Sequence, residues 1–166
     1  MNYISKIQNK IFQSEQDFAK NLQAWKNENK KIVFTNGCFD ILHHGHADYL
    51  AKSAALGDVL AVGLNTDKSI RKLKGNARPI VDEYSRAFLL ASFFFVDAVI
   101  LFDEETPYNL INFIRPDVLV KGSDYKEDNI VGADIVRDKG GSIITIDFVH
   151  GFSTSAIIEK IKKLYF

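Results

Sequence analysis

The sequence predicts an α/β fold, a doubly wound parallel sheet sandwiched by helices. Three observations point to it. Strand-length and helix-length segments alternate from residue 31 to the end. The strand segments, such as DVLAVGLN (58–65), are apolar throughout instead of alternating, which marks strands buried on both faces. Crossovers between parallel strands are right-handed, so successive strand–helix units wind into a sandwich. Ligands bind such sheets at the carboxyl ends of the strands. Three segments with polar residues or glycine fall there: 35–46, 65–67 and 121–125.

Each element has its own signal. The first 30 residues read as a helical appendage. Ser14 followed by Asp17 is a capping signal, and Phe18, Leu22 and Trp25 follow at helical spacing, a face for packing on the core. KNENKK (26–31) then turns the chain, and KIVFTN (31–36) is a β-rich run ending at Gly37. HGHADYLAKSAALG (44–57) carries Ala47, Leu50, Ala51 and Ala54 on one helical stripe, with Gly57 as the stop. After the strand at 58–65, RKLKGNARP (71–79) reads as a cation-rich loop leading to the next helix. VDEYSRAFLLASFFF (81–95) is that helix, with Asp82 at its N-cap. DAVILF (97–102) is a strand, and TPYNLINFI (106–114) opens a helix with Thr-Pro. DVLVKG (117–122) is a strand, DNIVGADIVRDKG (128–140) holds a short helix, GSIITID (141–147) is a strand, and STSAIIEKIKKLYF (153–166) is the last helix.

Composition narrows the class. A chain of 166 residues, 46% of them hydrophobic, suits one compact domain. Lys+Arg and Asp+Glu are both 21, a balance that points away from nucleic acid and membrane surfaces as partners. The single cysteine, Cys38, excludes an internal disulfide and fits a reducing cytoplasm. The first residues lack the continuous apolar stretch of a signal peptide. AFLLASFFFVDAVILF (87–102) is shorter than the roughly 20 residues a membrane-spanning helix needs, and Asp97 interrupts it. It reads as a buried helix running into a buried strand.

Three of the four histidines lie in TNGCFDILHHGH (35–46), at the end of a strand. Gly37 lets the chain turn sharply and a ligand approach. Gly45 stands near a helix N-terminus, whose free N–H groups and positive potential suit phosphate. His43 and His46 are three apart and share one face of the first turn. Two imidazoles there can donate hydrogen bonds to phosphate oxygens as charge builds in a transition state. A zinc site from His43, His44 and His46 is the rival reading, but no cysteine or carboxylate set completes it. For His44 alone, a helix-cap role fits better. Cys38 has no base at a diagnostic spacing and reads as a small residue filling the turn.

GCFDILHHGH resembles the G-x-F-D-x-x-H-x-G-H signature of the cytidylyltransferase-like nucleotidyltransferases, matched at Gly37, Phe39, Asp40, His43, Gly45 and His46. GFSTSAII (151–158) resembles the family's second signature, which opens the last helix. The resemblance implies a Rossmann-like nucleotidyltransferase domain over 31–166, with 1–30 as the appendage. FTNGCFDILHHGH, GLNTDKSIRKLKGNARPI, DVLVKGSDY and GFSTSAIIEKI are most similar to adenylyltransferase domains of ADP-heptose synthesis, here without the kinase domain often fused to them.

What this resemblance implies is specific. ATP and a sugar 1-phosphate would be the substrates, with Mg²⁺ on the β- and γ-phosphates, ADP-heptose and pyrophosphate the products, and a homodimer the assembly. His43, His46 and Lys74 would be catalytic, Lys74 from a loop that closes over ATP. Thr35, Asn36, Gly37, Phe39 and Gly45 would line the nucleotide, together with Lys121, Gly122 and Asp124. Ser153, Thr154 and Ser155 would cap the last helix and face the triphosphate. Asn65, Asp67 and Arg78 would face the substrates. Asp40 would either orient the sugar phosphate or a metal-bound water, or cap the turn. Glycerol-phosphate and choline-phosphate cytidylyltransferases carry an arginine shortly before the second signature; DFVHGFSTS has none, and His150 there reads as a loop residue. A glycerol 3-phosphate cytidylyltransferase and a non-catalytic nucleotide-binding module are the remaining alternatives.

Overall fold

A computed structural model describes residues 2–124 and 129–165. Among them are six strands: β1 (Ile11–Phe12), β2 (Ile32–Gly37), β3 (Val59–Asn65), β4 (Ala98–Phe102), β5 (Val118–Gly122) and β6 (Ser142–Ile146). The helices are α1 (Tyr3–Gln8), α2 (Glu15–Asn27), α3 (His44–Ala54), α4 (Asp67–Lys74), α5 (Glu83–Ser92), α6 (Tyr108–Ile114), α7 (Ala133–Asp138) and α8 (Thr154–Tyr165).

The strands form one parallel sheet in the order β1-β4-β3-β2-β5-β6. From β2 the chain steps outward through β3 to β4, then returns to place β5 on the other side of β2. The order therefore reverses at the carboxyl ends of β2 and β5, where a crevice opens. Side-chain alternation splits the core into two layers. Ile32 and Phe34 pack with Phe18, Leu22, Leu110, Ile111 and Val136 beneath α2, α6 and α7. Val33, Leu60, Val62 and Leu64 pack with Leu50, Ala87 and Leu90 beneath α3 and α5.

Carboxylates fix the amino ends of the strands. Asp117 accepts the Ile32 N–H, Asp58 the Lys31 N–H and Asp97 the Leu60 N–H. The aspartate that interrupts the apolar run is thus a strand anchor; burial pushes its carboxyl up despite the Leu60 N–H bond. Ser14 and Asp82 cap α2 and α5.

The first 30 residues are not wholly helical. Ile11 and Phe12 pair with Val99 and Ile100, adding an edge strand that no local signal marks. Phe18 and Leu22 of α2 are fully buried, with Trp25 against them, so this segment belongs to the core. The stretch read as a loop over 71–79 is also different. Its first part lies in α4, capped by the Thr66 hydroxyl on the Ser69 N–H, with Arg71, Lys72 and Lys74 in the last turn. Cations in a final helical turn favour the helix dipole. No helix among the described residues is long and apolar enough to cross a membrane.

Candidate active site

A cavity of about 790 Å³ opens at the carboxyl ends of β2, β3 and β5. Every site residue predicted from the sequence lines it except Thr35, Asp67 and Asp124. The sequence prediction did not include Cys38, Tyr49, Leu73, Glu105, Thr106, Pro107, Val131, Phe148 or Phe152, which also line it.

His43 is the N-cap of α3 and His46 lies in its first turn. Their rings stack, with centroids 3.9 Å apart and planes inclined by 20°. His46 also meets the edge of Phe39, and His44 turns instead to Phe152. Phe39 itself has φ 46°, a left-handed turn that follows directly on Gly37 and Cys38. The Nδ1 atoms of both His43 and His46 are buried without a hydrogen-bond partner among the described residues. Burial, then the neighbouring His43 and Lys74, push His46 down to about 4, against the opposing pull of Asp40. His43 is lowered by burial and by His44. Both rings are therefore neutral at pH 7, and each has hydrogen-bonding capacity left for a ligand.

Gly45 lets the His43 ring and Phe152 close on this helix end. A Cβ there would lie 3.1 Å from the His43 ring and 3.2 Å from Phe152. Lys121, at the end of β5, is buried and donates to Asn36 Oδ1 at the end of β2. Burial pushes its amine down to about 8. At the cavity rim, the Ser153 hydroxyl accepts the Ala156 N–H and so caps α8. Thr154 Oγ1 donates to the Asp40 carbonyl at 2.5 Å, which ties α8 to the turn after β2. Free N–H groups of this helix end suit an anion.

Asp40 takes the structural role of its two readings. Its buried carboxylate accepts the N–H groups of Ile80 and Val81 at 3.0 Å and Arg78 Nε at 2.7 Å. Burial alone would raise its carboxyl, but these three donors hold it below the usual range. Arg78 is accordingly an ion-paired staple on the cavity wall, not a free cation of the loop. The exposed span between the end of α4 and this staple is Gly75–Asn76–Ala77, with Gly75 at φ 88°. Lys74 stands at its hinge and faces the cavity.

Two predicted contacts are corrected, and a third lies at the cavity edge. Thr35 is buried and its hydroxyl is paired with Tyr49 Oη at 2.7 Å, so it supports the site from behind. Asp67 lies at the start of α4, where its carboxylate accepts Arg86 Nη2 at 2.7 Å; this pairing diverts it from any substrate. Asp124 is exposed beyond the end of β5, with its carboxylate beside the cavity-lining Gly122 and Lys121. Asn65 lines the cavity, with its amide donating to Ser69 Oγ.

Arg86 is the organising residue that the sequence did not single out. It is 1% exposed on α5. Its guanidinium donates to the carbonyls of Cys38, Asn65 and Val81 and to Asp67. One side chain thus joins the end of β2, the end of β3, the segment after Arg78 and the start of α4. An arginine inside an amphipathic helix looks like a solvent-facing charge; only the tertiary structure brings its acceptors together.

A stacked pair of neutral imidazoles beside a helix N-terminus and two lysines offers donors and positive charge to a phosphate. Family comparison agrees. Residues 34–160 match the family model described as cytidylyltransferase-like. The chain belongs to the cytidylyltransferase-like family. Its relatives include the bifunctional protein HldE of Campylobacter jejuni subsp. doylei, 61% identical over 153 residues, covering 88% of this chain and 32% of that protein. HldE of Helicobacter pylori is 54% identical over 146 residues, covering 88% and 31%. The chain thus spans about a third of the length of these curated relatives. Among solved structures, the lipopolysaccharide core biosynthesis protein of Thermoplasma volcanium is 31% identical with a TM-score of 0.57, covering 72% of this chain and 97% of that one. Pantoate-beta-alanine ligase of Francisella tularensis, at 16% identity and a TM-score of 0.61, covers 93% and 77% and shares the fold. As a member of this family the chain is a nucleotidyltransferase.

Proposed function

We propose that the chain transfers AMP from ATP to D-glycero-β-D-manno-heptose 1-phosphate, giving ADP-heptose and pyrophosphate. The observation that carries this reading is the stacked His43–His46 pair on the wall of a cavity that also holds Lys74, Lys121 and the α8 N-terminus. The similarity to HldE over most of the chain, and to a protein of lipopolysaccharide core synthesis, supports the choice of acceptor.

An oxygen of the acceptor phosphate attacks the α-phosphorus in line. That P–O bond forms as the bond to the β-phosphate oxygen breaks, and pyrophosphate leaves with the electron pair. His43 and His46 donate to the α-phosphate oxygens where charge builds. Lys74, swung in by the Gly75–Ala77 span, neutralises the departing phosphates, and the α8 N-terminus with Ser153 and Ser155 holds the triphosphate. Among the described residues no group of three or more histidine, cysteine or acidic side chains is placed to hold a metal. Magnesium is bound chiefly by substrate phosphates and water, so it belongs to the Mg–ATP substrate. Pyrophosphate release, measured with ATP and CTP against a panel of sugar and polyol phosphates, tests the assignment. ATP with a heptose 1-phosphate should be the best pair. A preference for CTP with glycerol 3-phosphate would replace this reading, and tight ATP binding with no release would make the chain a binding module.

A further inference from the structure

We propose that Glu105 recognises the acceptor: its carboxylate accepts hydrogen bonds from the hydroxyl groups of a polyhydroxylated sugar phosphate seated at the carboxyl ends of β3 and β4. This inference rests on the transfer reaction proposed above.

Among the described residues, two carboxylates line the cavity, Asp40 and Glu105. Asp40 is fully engaged by Arg78, Ile80 and Val81. Glu105 makes no hydrogen bond or ion pair with any described residue. Its neighbours do the opposite. Asp103 accepts from Thr66 and Lys68, and the Glu104 carbonyl accepts from Ser69 Oγ. On the other side, buried Pro107 opens α6. Glu105 itself is exposed at the cavity wall, with its backbone pinned on both sides and its carboxylate open to a ligand there.

Charge says which part of a ligand it meets. Lys74 and Lys121 also line the cavity, and their amines suit phosphate. A carboxylate repels phosphate, so Glu105 faces an uncharged, hydrogen-bond-donating part of a ligand. In-line displacement places the acceptor and the departing pyrophosphate on opposite sides of the α-phosphorus. The α8 N-terminus is tied to the turn after β2 through Thr154 and Asp40. Glu105 follows β4, two strands from β2 across the sheet, with Asn65 at the end of β3 between them. With the triphosphate on the α8 side, the body of the acceptor falls on Asn65, Glu105 and Thr106. An amide, a carboxylate and a hydroxyl on one wall match a ring carrying many hydroxyls and no second charge.

Steady-state kinetics of Glu105→Ala and Glu105→Gln test this. Losing a hydrogen bond to a charged group costs about 10–100-fold, so the KM for the sugar phosphate should rise by about that factor in Glu105→Ala, with the KM for ATP held within about twofold. Glu105→Gln, which still accepts but carries no charge, should lie between. Equal rises in both KM values, an unchanged acceptor KM, or rescue by added Mg²⁺ would overturn the assignment. A second measurement needs no turnover: calorimetric titration of the sugar phosphate into each chain loaded with a non-hydrolysable ATP analogue. Weaker acceptor binding by Glu105→Ala supports the contact, and equal affinity overturns it. Failure of the transfer reaction is seen separately, as no pyrophosphate from the unchanged chain.

Discussion

Acidification should destabilise this protein through His46, by an amount the site geometry sets. The ring is held at about 4 by burial and by His43 and Lys74, whereas the unfolded chain takes its proton near the ordinary value of about 6.5. Between those values the unfolded state binds more protons than the folded state. Stability therefore rises with pH across that window and falls as pH drops through it. Integrated from pH 7 to pH 4.5, the difference is about 2 kcal/mol. His43, lowered in the same direction, adds to the trend, while Asp97, whose carboxyl is raised, opposes it near the lower end. His46→Gln isolates the term, because glutamine fills similar space and does not titrate there. Denaturant unfolding of both chains at pH 7 and 4.5 gives the double difference. The unchanged chain should lose about 2 kcal/mol more than His46→Gln. Equal losses would mean that His46 is hydrated and protonated like an exposed histidine, and that the neutral stacked pair is not how the site is built.

Other perturbations have equally definite outcomes. Arg86→Met leaves three carbonyls and Asp67 without their donor in the interior; breaking a buried pair costs about 3–5 kcal/mol, so thermal unfolding should fall by about 10 °C or more, and a melting curve like that of the unchanged chain would refute its organising role. Lys74→Ala should cut turnover far more than Lys72→Ala, and ATP should slow hydrogen exchange in residues 75–77; equal effects, or full protection without nucleotide, would remove the moving span. A triphosphate beside His43 and His46 favours their charged forms, so ATP binding at pH 6 should take up protons, seen as a binding enthalpy that depends on the buffer's ionisation enthalpy; a buffer-independent enthalpy would place the phosphates away from the pair.

The parts of the structure legible in the sequence are those with local causes. Apolar runs of strand length and glycine-flanked helices announced the parallel sheet. The spacing of His43, Gly45 and His46 placed the helix end that opens on the cavity. Ser14 and Asp82 signalled their helices through side-chain caps that need no distant partner. Missed features depend on distant partners or were masked by charge. Ile11–Phe12 is too short to read as a strand and becomes one only against β4. Helix α4 carried a usable signal, Thr66 before Asp67 with Gly75 at the end, but its density of cations and two buried residues concealed it. Asp67, Arg78 and Asp40 looked like ligands for substrate because nothing nearby in the chain neutralises them. Their partners lie 19 and 38 residues away, and pairing converted most of that charge into scaffold. Glu105, which makes no such pair among the described residues, is the carboxylate of the wall assigned above to the acceptor.

Phosphorus NMR of the chain mixed with Mg–ATP and D-glycero-β-D-manno-heptose 1-phosphate tests the central claim most directly. Attack at the α-phosphorus predicts loss of the three ATP resonances, growth of inorganic pyrophosphate and a new coupled pair from a nucleoside diphosphate sugar. That pattern should vanish in His46→Ala, whose turnover should fall by about 10²–10³. ADP with a sugar bisphosphate, or inorganic phosphate alone, would show attack at the γ-phosphorus and contradict the account.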